Sequence, residues 1–448
     1  MRIPYFLSCS AICLTLSLHG QEASQTPVSN DSLQKSVQAV RKDVDVLKHL
    51  NVSGWIQAQF QVADQYGVKN FDGGDFASNT NSRFMIRRGR VKFTYSQKNS
   101  QYVLQINATE RGVNLTDFYA KVTDPWMHAF SLTAGVMNRP YGFEIQQSSA
   151  DRETPERSWF TQLLMPNERD LGMMVTFQPA KGKWGHGLKI DAGFFNGTGI
   201  AVPGTGTPSG AAVGTTGVNG FTDFDYIKDF IGRVHYNRSF KDDKFKFGIG
   251  ASHYRGGFGY PSNKVYSQMA SDLSSNPFWV AEDTTNRTFI NGIAPRIYYG
   301  ADVQVSVVTL LGTTTLRGEF ITGTQSGKDV DSRSPQAALT NGTSVYLRNF
   351  QGAYGYFVQR IGKSKHEIAV KYDFYDPNTQ VKGSQIMGKL KEGEIKWTSL
   401  GFAYIFYLDA NVKLMLYYNT VKNEITPLKG FDRDLKDNVF TARVQYRF

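Results

Sequence analysis

The chain has 448 residues, a formal net charge of +11 and two cysteines. Both cysteines, Cys9 and Cys13, lie in the apolar N-terminal stretch, so the remaining chain has no disulfide and no cysteine-based metal site or nucleophile. Beyond that stretch no run of about 18 apolar residues occurs, which argues against membrane-spanning helices.

The first residues have the pattern of an export signal. Met1 and Arg2 form a short basic start, Ile3–Leu18 is an apolar core, and small or polar residues follow. This pattern predicts a signal peptide over residues 1–20. The positive charge is spread over many short segments of an exported chain, so it favours a lumen or a small solute over nucleic acid as its target.

Residues 21–50 are predicted to be a periplasmic spacer followed by a short helix. An apolar stripe recurs at alternating spacings of 4 and 3 residues and consists of Leu33, Val37, Val40, Val44 and Leu47. Such spacing is typical of a coiled coil, in which Asp43 and Lys48 would lie at pairing positions beside the seam. A single amphipathic helix lying on the following domain explains the same pattern, so both interpretations stay open.

From residue 51 to residue 448 the apolar period becomes two, which is the period of a β-strand. About sixteen strands can be read, and a single-chain bacterial barrel requires an even number. They are predicted at Val52–Val62, Phe84–Tyr95, Tyr102–Thr109, Leu115–Val122, Phe130–Val136, Leu171–Phe177, Leu188–Phe195, Phe230–Tyr236, Phe245–Tyr254, Arg296–Ser306, Thr314–Thr322, Phe350–Val358, Glu367–Tyr375, Thr398–Phe406, Val412–Asn419 and Asn438–Phe448.

The connections between these strands alternate in length. Long connections such as Gly256–Gly292 and Gly323–Ser344 follow odd-numbered strands, whereas short ones such as Ser239–Asp243 and Leu408–Asn411 follow even-numbered strands. Outer-membrane barrels have long loops outside the cell and short turns in the periplasm. The pattern therefore predicts an all-β transmembrane antiparallel barrel with both termini in the periplasm.

The last strand indicates which face of the sheet meets lipid. Phe440, Val444 and Phe448 lie on one face, and Arg443 and Arg447 lie on the other. A strand with lipid on one side and water on the other has this alternation. The same parity therefore assigns the charged residues of the other strands to the lumen.

Basic side chains are concentrated on the face that this rule turns toward the lumen. Arg88, Arg90 and Lys92 share one face of their strand, and an arginine that faced lipid at mid-depth would cost about 2–4 kcal/mol. Inward bases outnumber inward acids, so a water-filled lumen should attract anions. The candidate pore-lining and anion-guiding residues are Arg88, Arg90, Lys92, Lys121, Arg139, Arg157, Arg169, Arg233, Arg317, Arg443 and Arg447.

Ion pairing within the wall is the alternative explanation for these charges. Arg317 and Glu319 lie on one strand, two residues apart, as do Lys371 and Asp373, so each pair could hold the wall rigid. Pairing accounts for most of the inward acids but leaves a surplus of arginine.

The stretch around 137–170 is unusually long for a connection between two strands, and such loops are often functional. Its charged and aromatic residues include Arg139, Tyr141, Arg157 and Arg169. We expect this loop to fold into the lumen and narrow it. The alternative is a cap on the extracellular side.

At this point the chain resembles a known family, the phosphate-selective porins O and P of Gram-negative outer membranes. The motifs that carry the resemblance are Phe84–Val91, Gly135–Gly142, Glu156–Ser158, Arg169–Gly172, Gly193–Gly197 and Lys371–Pro377. The resemblance implies a sixteen-stranded barrel, commonly trimeric, with the third loop folded inward and arginines guiding anions. Members of the family also carry a short periplasmic coiled coil. The chain departs from the family in its long Gly- and Thr-rich loop Gly197–Gly220.

Sequence signals for catalysis are weak, and no cofactor or metal is predicted. The histidines are scattered without an HExxH motif, and Gly197–Gly220 lacks the spacing of a phosphate-binding loop. The sequence therefore predicts an outer-membrane porin for small anionic solutes, with phosphate or polyphosphate as candidates, surrounded by outer-membrane lipid as a homotrimer. The alternatives are a general porin or one for other polar or organic solutes, a structural anchor, and a barrel hydrolase.

Overall fold

The structure, a computed structural model, describes residues 30–69, 74–166, 168–199, 223, 225–240, 242–259, 264–282, 292–335 and 344–448, without the side chains of residues 30, 32, 33, 42, 43, 46 and 47. The predicted signal peptide, most of the predicted spacer and residues 200–220 of the Gly- and Thr-rich loop lie outside these residues. The chain divides into two units, Met1–His49 and Leu50–Phe448.

The described residues of the first unit form one helix, α1 (Asn30–Lys48). Asp31 in the first turn and Lys48 in the last turn complement the helix dipole. Two exposed ion pairs stabilise the helix further, each between residues about one turn apart: Lys35–Asp31 at 3.0 Å and Lys48–Asp45 at 2.9 Å. Val40 of the apolar stripe is exposed, and the side chains of Leu33, Asp43 and Leu47 are not described, so coiled-coil pairing stays a prediction. Among the described residues no helix is both long and apolar enough to cross a membrane.

Within its described residues the second unit contains eighteen strands, which pair antiparallel apart from one short parallel contact, and one short α-helix, α2 (Trp159–Leu164). The strands are β1 (Leu50–Ala63), β2 (Ser82–Gln97), β3 (Ser100–Thr109), β4 (Gly112–Thr123), β5 (Phe130–Asn138), β6 (Arg169–Phe177), β7 (Leu188–Phe195), β8 (Asp229–Phe240), β9 (Phe245–Gly259), β10 (Val265–Ser271), β11 (Pro277–Ala281), β12 (Ile293–Thr309), β13 (Gly312–Gly327), β14 (Val345–Arg360), β15 (His366–Asp376), β16 (Trp397–Tyr407), β17 (Val412–Asn423) and β18 (Val439–Arg447).

Sixteen of these strands close into a barrel. Consecutive strands pair along the chain, β9 pairs directly with β12, and β18 pairs with β1 from Trp55 opposite Arg447 to Ala63 opposite Val439. The remaining two, β10 and β11, form a hairpin beside the ring, so that eighteen minus two leaves sixteen. The predicted closed barrel of sixteen strands is confirmed.

The hairpin β10–β11 was not predicted, because the sequence was interpreted there as one long connection, Gly256–Gly292. The hairpin touches the barrel through a short parallel pairing of Val265 and Tyr266 with β14. Trp279 of β11 packs in an apolar cluster with Ile386 and Leu390 of the connection between β15 and β16. The long connections therefore pack against one another on their side of the barrel.

Candidate functional site

The long loop, which we define as residues 139–168, connects β5 to β6 and contacts the inner face of distant strands. The Gln57 side chain of β1 donates a hydrogen bond from Nε2 to the carbonyl oxygen of Ser149 at 2.9 Å. The backbone N–H of Gly142 donates to the hydroxyl of Ser252 in β9 at 3.0 Å. In a ring of sixteen, β1 and β9 lie eight places apart, on opposite sides. The loop therefore reaches across the interior of the barrel.

Burial along the strands alternates as expected for a wall with two different faces. In β18, Thr441, Arg443 and Gln445 are buried, whereas Phe440 and Val444 are exposed. The Arg443 guanidinium donates to the carbonyl oxygen of Pro155 in the long loop at 3.2 Å, so the polar face is the inner one. The exposed face carries the apolar side chains that lipid requires.

A β-bulge in β2 turns two adjacent arginines inward. Arg88 is opposite Gln57 and Ile86 is opposite Ala58, so Arg87 is the extra residue in the ladder. Both guanidinium groups reach Glu156 of the long loop, at 2.6 Å from Arg87 Nε and 3.1 Å from Arg88 Nη2. Strict alternation from Arg88 would place Arg87 on the outer face, but the bulge shifts parity by one residue and both arginines contact the long loop.

Glu156 is the common acceptor of three strand arginines. Arg443 Nη2 lies 3.5 Å from Oε1, the oxygen that Arg87 Nε also contacts, whereas Arg88 Nη2 contacts Oε2. Burial by itself would raise the pKa of Glu156, but Arg87 and then Arg88 outweigh it and hold this pKa well below its usual range. Glu156 is therefore a carboxylate, and three positive charges surround one negative charge here.

Two further guanidinium groups near Glu156 lack acid partners. Arg152 of the long loop is only 1% exposed, and none of its three side-chain nitrogens has a hydrogen-bond partner among the described residues. Arg90 of β2 is 8% exposed, its Nε is also without a partner there, and it lies over the ring of Trp55 at 5.6 Å. Burial and then the neighbouring charge of Arg152 lower the pKa of Arg157 well below its usual value. Positive charge is thus locally in excess.

Most of the other predicted cations are engaged in ion pairs. Arg317 pairs with Glu153 of the long loop and not with Glu319, which instead accepts the backbone N–H of Phe143 at 3.0 Å. Lys371 and Asp373 do pair, at 3.2 Å. The remaining pairs are Arg139–Asp170 at 3.1 Å, Arg157–Glu168, Arg169–Asp117 at 2.8 Å, Arg233–Asp302 at 2.8 Å and Arg447–Asp151 at 3.0 Å.

The structure places Lys92 and Lys121 neither among the arginines around Glu156 nor in the ion pairs described above. Both are partly buried, and neither forms an ion pair with any residue that the structure describes. Lys92 lies opposite Gln105 and Lys121 opposite Gln101, on successive strand pairs. They lie nearer the short-turn end than Arg90 does. The sequence did not single out Arg152 as a source of excess positive charge. It lies in the long loop, and strand parity assigns no face to a loop residue.

Part of the inner face is aromatic, which strand parity did not predict. Helix α2 of the long loop packs against it, with Phe160 stacked on Tyr354 at 6.0 Å and Trp159 stacked on Trp397 at 5.1 Å. Phe160 is fully buried. The backbone N–H of Trp159 also donates to Asp373 at 3.0 Å. These contacts fix the loop to β14, β15 and β16.

At the short-turn end the barrel interior opens into a cavity of about 1020 Å³. Lys181, Lys189 and Lys246 line it together with His186 and His235. Lys189 pairs with Asp191 at 2.9 Å, so part of this charge is compensated. Among the described residues no group of three or more His, Cys, Asp or Glu side chains could hold a metal ion.

The fold has counterparts among solved outer-membrane proteins. OprB from Pseudomonas putida gives a TM-score of 0.54 at 10% identity, covering 92% of this chain and 97% of that chain. An anion-selective porin from Comamonas acidovorans gives 0.49 at 10% identity, covering 89% and 99%. The outer-membrane channel DcaP from Acinetobacter baumannii gives 0.49 at 11% identity, covering 89% and 97%. No curated protein matches the sequence significantly.

The closed sixteen-stranded ring has a porin-like fold, with an inward loop and a charged interior. The family model described as phosphate-selective porin O and P matches residues 57–234. The resemblance predicted from the sequence is thereby confirmed over this part of the chain.

Proposed function

We propose that the protein is a porin through which small anionic solutes diffuse passively, with phosphate and polyphosphate as candidate solutes. The long loop sets the bore, and both termini lie in the periplasm. The short turns at the end that carries the termini support this orientation. The family resemblance supports a homotrimer surrounded by outer-membrane lipid.

The buried, unpaired guanidinium of Arg152 is the observation that carries the proposal. A charge held away from water without a partner is costly, and the cost falls when an ion of opposite sign approaches. Arg90 and Arg157 lie close enough to Arg152 for its positive charge to act on both of them. Planar guanidinium groups bind phosphate and carboxylate oxygens in a forked geometry. The constriction would therefore favour an anion over a cation.

The ion pairs elsewhere on the wall have a different role. They hold the long loop at fixed positions and contribute little net charge, since each arginine is matched by an acid. At the short-turn end, Lys181 and Lys246 line a wide cavity and raise the local concentration of anions. Selection then rests on the few unmatched cations, and transport follows the solute gradient.

The test is the reversal potential of single channels in planar bilayers under a salt gradient. Wild-type protein should prefer chloride to potassium, and Arg152→Gln should lower this preference by severalfold. Added phosphate should reduce the chloride current of the wild type more than that of the variant. The control is Arg111→Gln, which removes an exposed loop arginine that pairs with Glu110.

The outcomes separate the candidate functions. Equal reversal potentials in wild type and Arg152→Gln would refute a selective site at Arg152. Cation preference in the wild type at neutral pH would refute anion passage altogether. Equal permeation of neutral and charged solutes would identify a general porin.

A further inference from the structure

The outer surface of the barrel carries an open apolar groove of about 670 Å³ across β8, β9, β12, β13 and β14. Small residues line it, including Ala251, Ala301, Gly318 and Ala353. In the ladder, Ala301 lies between Ala251 on one side and Phe320 on the other. The volume is within the range of about 300–1,000 Å³ that ligand sites occupy.

An outward-facing arginine lies on the same strand face as the groove. Arg255 is four residues beyond Ala251 in β9, toward the long-loop end, which is about 13 Å at about 3.3 Å per residue. It is exposed, it lies between Phe230 and Ile297 in the ladder, and it forms no ion pair with the described residues. An arginine among apolar neighbours on this face is tolerated near the membrane interface, where its cost is about 0–1 kcal/mol.

The residues between Arg255 and the groove are of the interfacial type. The His253 ring stacks on Tyr299 at 4.9 Å, and Tyr299 is exposed on the outer face. Such amphipathic rings lie at the level of lipid headgroups. The order along the strands is therefore cation, aromatic ring and apolar groove. This order matches the phosphate, the sugar and the acyl chain of a phosphorylated glycolipid.

We propose that this surface binds one phosphorylated glycolipid of the lipid A class, with an acyl chain in the groove and a phosphate on Arg255. The inference rests on the orientation given under Proposed function, which places the long-loop end in the outer leaflet. It does not depend on the anion selectivity of the lumen. Charge complementarity selects the phosphorylated lipid, since Arg255 can bind phosphate with two parallel hydrogen bonds.

A second copy of the chain fits this surface less well. The groove is concave, and the outer wall of a neighbouring barrel is convex at the scale of several strands. Two such walls in contact would leave the groove empty, and an unfilled apolar void costs packing energy. An acyl chain is narrow and flexible enough to fill it.

Native mass spectrometry of the purified protein with added lipid tests the proposal. The probes are diphosphorylated lipid A and an analogue without phosphates. Arg255→Gln should weaken binding of the phosphorylated lipid about tenfold and leave the analogue unchanged, because only the charge-assisted contact is lost. Ala301→Leu, which partly fills the groove, should weaken binding of both lipids.

Two matched controls carry substitutions of the same kind elsewhere on the barrel, one removing a cation and one enlarging an alanine. Lys422→Gln removes an exposed cation at the long-loop end of β17, and Ala442→Leu enlarges a residue on the outer face of β18. Both should bind lipid like the wild type. Equal losses in Arg255→Gln and Lys422→Gln would overturn a specific site. A changed subunit number in Ala301→Leu, with lipid binding intact, would overturn it in favour of a subunit interface. Reversal potentials of the same samples should equal the wild-type value, so failure here is distinct from failure of the proposed function.

Discussion

Two regions of the inner wall share one strand geometry and differ in chemistry. On β1, β2 and β18 the inner face is polar, with Gln57, Arg88 and Arg443 hydrogen-bonded to the long loop. On β14 to β17 the inner face also carries aromatic side chains, and Tyr354 and Tyr417 belong to the apolar cluster that holds α2, beside the charged Lys371, Asp373 and Lys413. The same loop therefore makes polar contacts with both stretches of the wall and adds apolar packing against the second.

The difference teaches that an inward-facing residue need not face water. The aromatic wall buries apolar surface and anchors the loop, which gives the contact its stability. The polar wall holds more positive than negative charges in a constricted space, and an excess charge in such a space can act on a solute ion. We infer that apolar anchoring and anion selection rest on two neighbouring stretches of the wall, and the variants below separate them.

The largest effect is expected from Phe160→Ala in α2. Phe160 is fully buried against Tyr354, and truncating a buried phenylalanine costs about 3–5 kcal/mol. The loop should lose its apolar anchor, so the barrel should unfold at lower denaturant and conduct more current per channel. Denaturant titration and single-channel conductance measure the two consequences.

Trp126→Ala is the control for Phe160→Ala. Trp126 lies in the turn between β4 and β5 and is 85% exposed, so its removal should leave conductance unchanged. Wild-type conductance in Phe160→Ala would show that the aromatic wall does not hold the loop in place.

Glu156→Gln is the next perturbation and acts on the polar wall. It removes the negative charge that Arg87, Arg88 and Arg443 share, and a hydrogen bond to a charged group is worth about 1.5–3 kcal/mol. We expect lower stability together with stronger anion preference, because three guanidinium groups lose their counter-charge. Unfolding and reversal potential should be measured on the same preparation.

Acid should not reproduce this variant at moderate pH. The unfolded pKa of a glutamate is about 4.3, and Arg87 and Arg88 hold the folded pKa of Glu156 well below that. The stabilisation is therefore complete above pH of about 4.3 and is lost only as pH falls through the lower folded value. Glu110→Gln, on an exposed glutamate, is the control; anion preference that rose equally in both variants would count against the shared carboxylate.

The sequence was sufficient for the barrel because strand parity and connection length are local properties. Val52–Val62 and Asn438–Phe448 alternate strongly, and β1 and β18 extend over nearly the same residues. The arginines of β18 face inward as the alternation required. Solvent, lipid and the strand period dictate these features, and no distant contact is needed to infer them.

The rest of the site depends on distant contacts. The bulge at Arg87 is a mismatch between two strands and leaves no mark in β2 alone. The partner of Arg317 is Glu153, which is 164 residues away along the chain, whereas Glu319 was the nearest acid in sequence. The aromatic side chains on the inner face of β14 to β17 become explicable only when α2 is placed against them.

The smallest effect is expected from Asp124→Asn, in the turn between β4 and β5 and remote from both walls. One carboxylate oxygen accepts the N–H of Trp126, Met127 and His128, and the other accepts those of Ala129 and Phe130, at 2.6–3.2 Å. An amide offers one acceptor oxygen, so the variant should lose the second set of bonds. The unfolding midpoint should fall by less than in Glu156→Gln, with conductance and selectivity unchanged.

The pH dependence of the Asp124 effect distinguishes a charged acceptor from mere loss of shape. The N–H groups of Phe130 and Met127 lower the pKa of Asp124 to about 2 in the folded chain, against about 3.9 in the unfolded chain. A carboxylate whose pKa is depressed in the folded chain stabilises the fold at pH values above its unfolded pKa. This stabilisation is lost as pH falls through its folded pKa. The stability difference between wild type and Asp124→Asn should hence be constant above pH of about 5 and shrink between about 4 and 2. A difference that persisted unchanged at pH of about 2 would mean that the turn needs the shape of the side chain and not its charge.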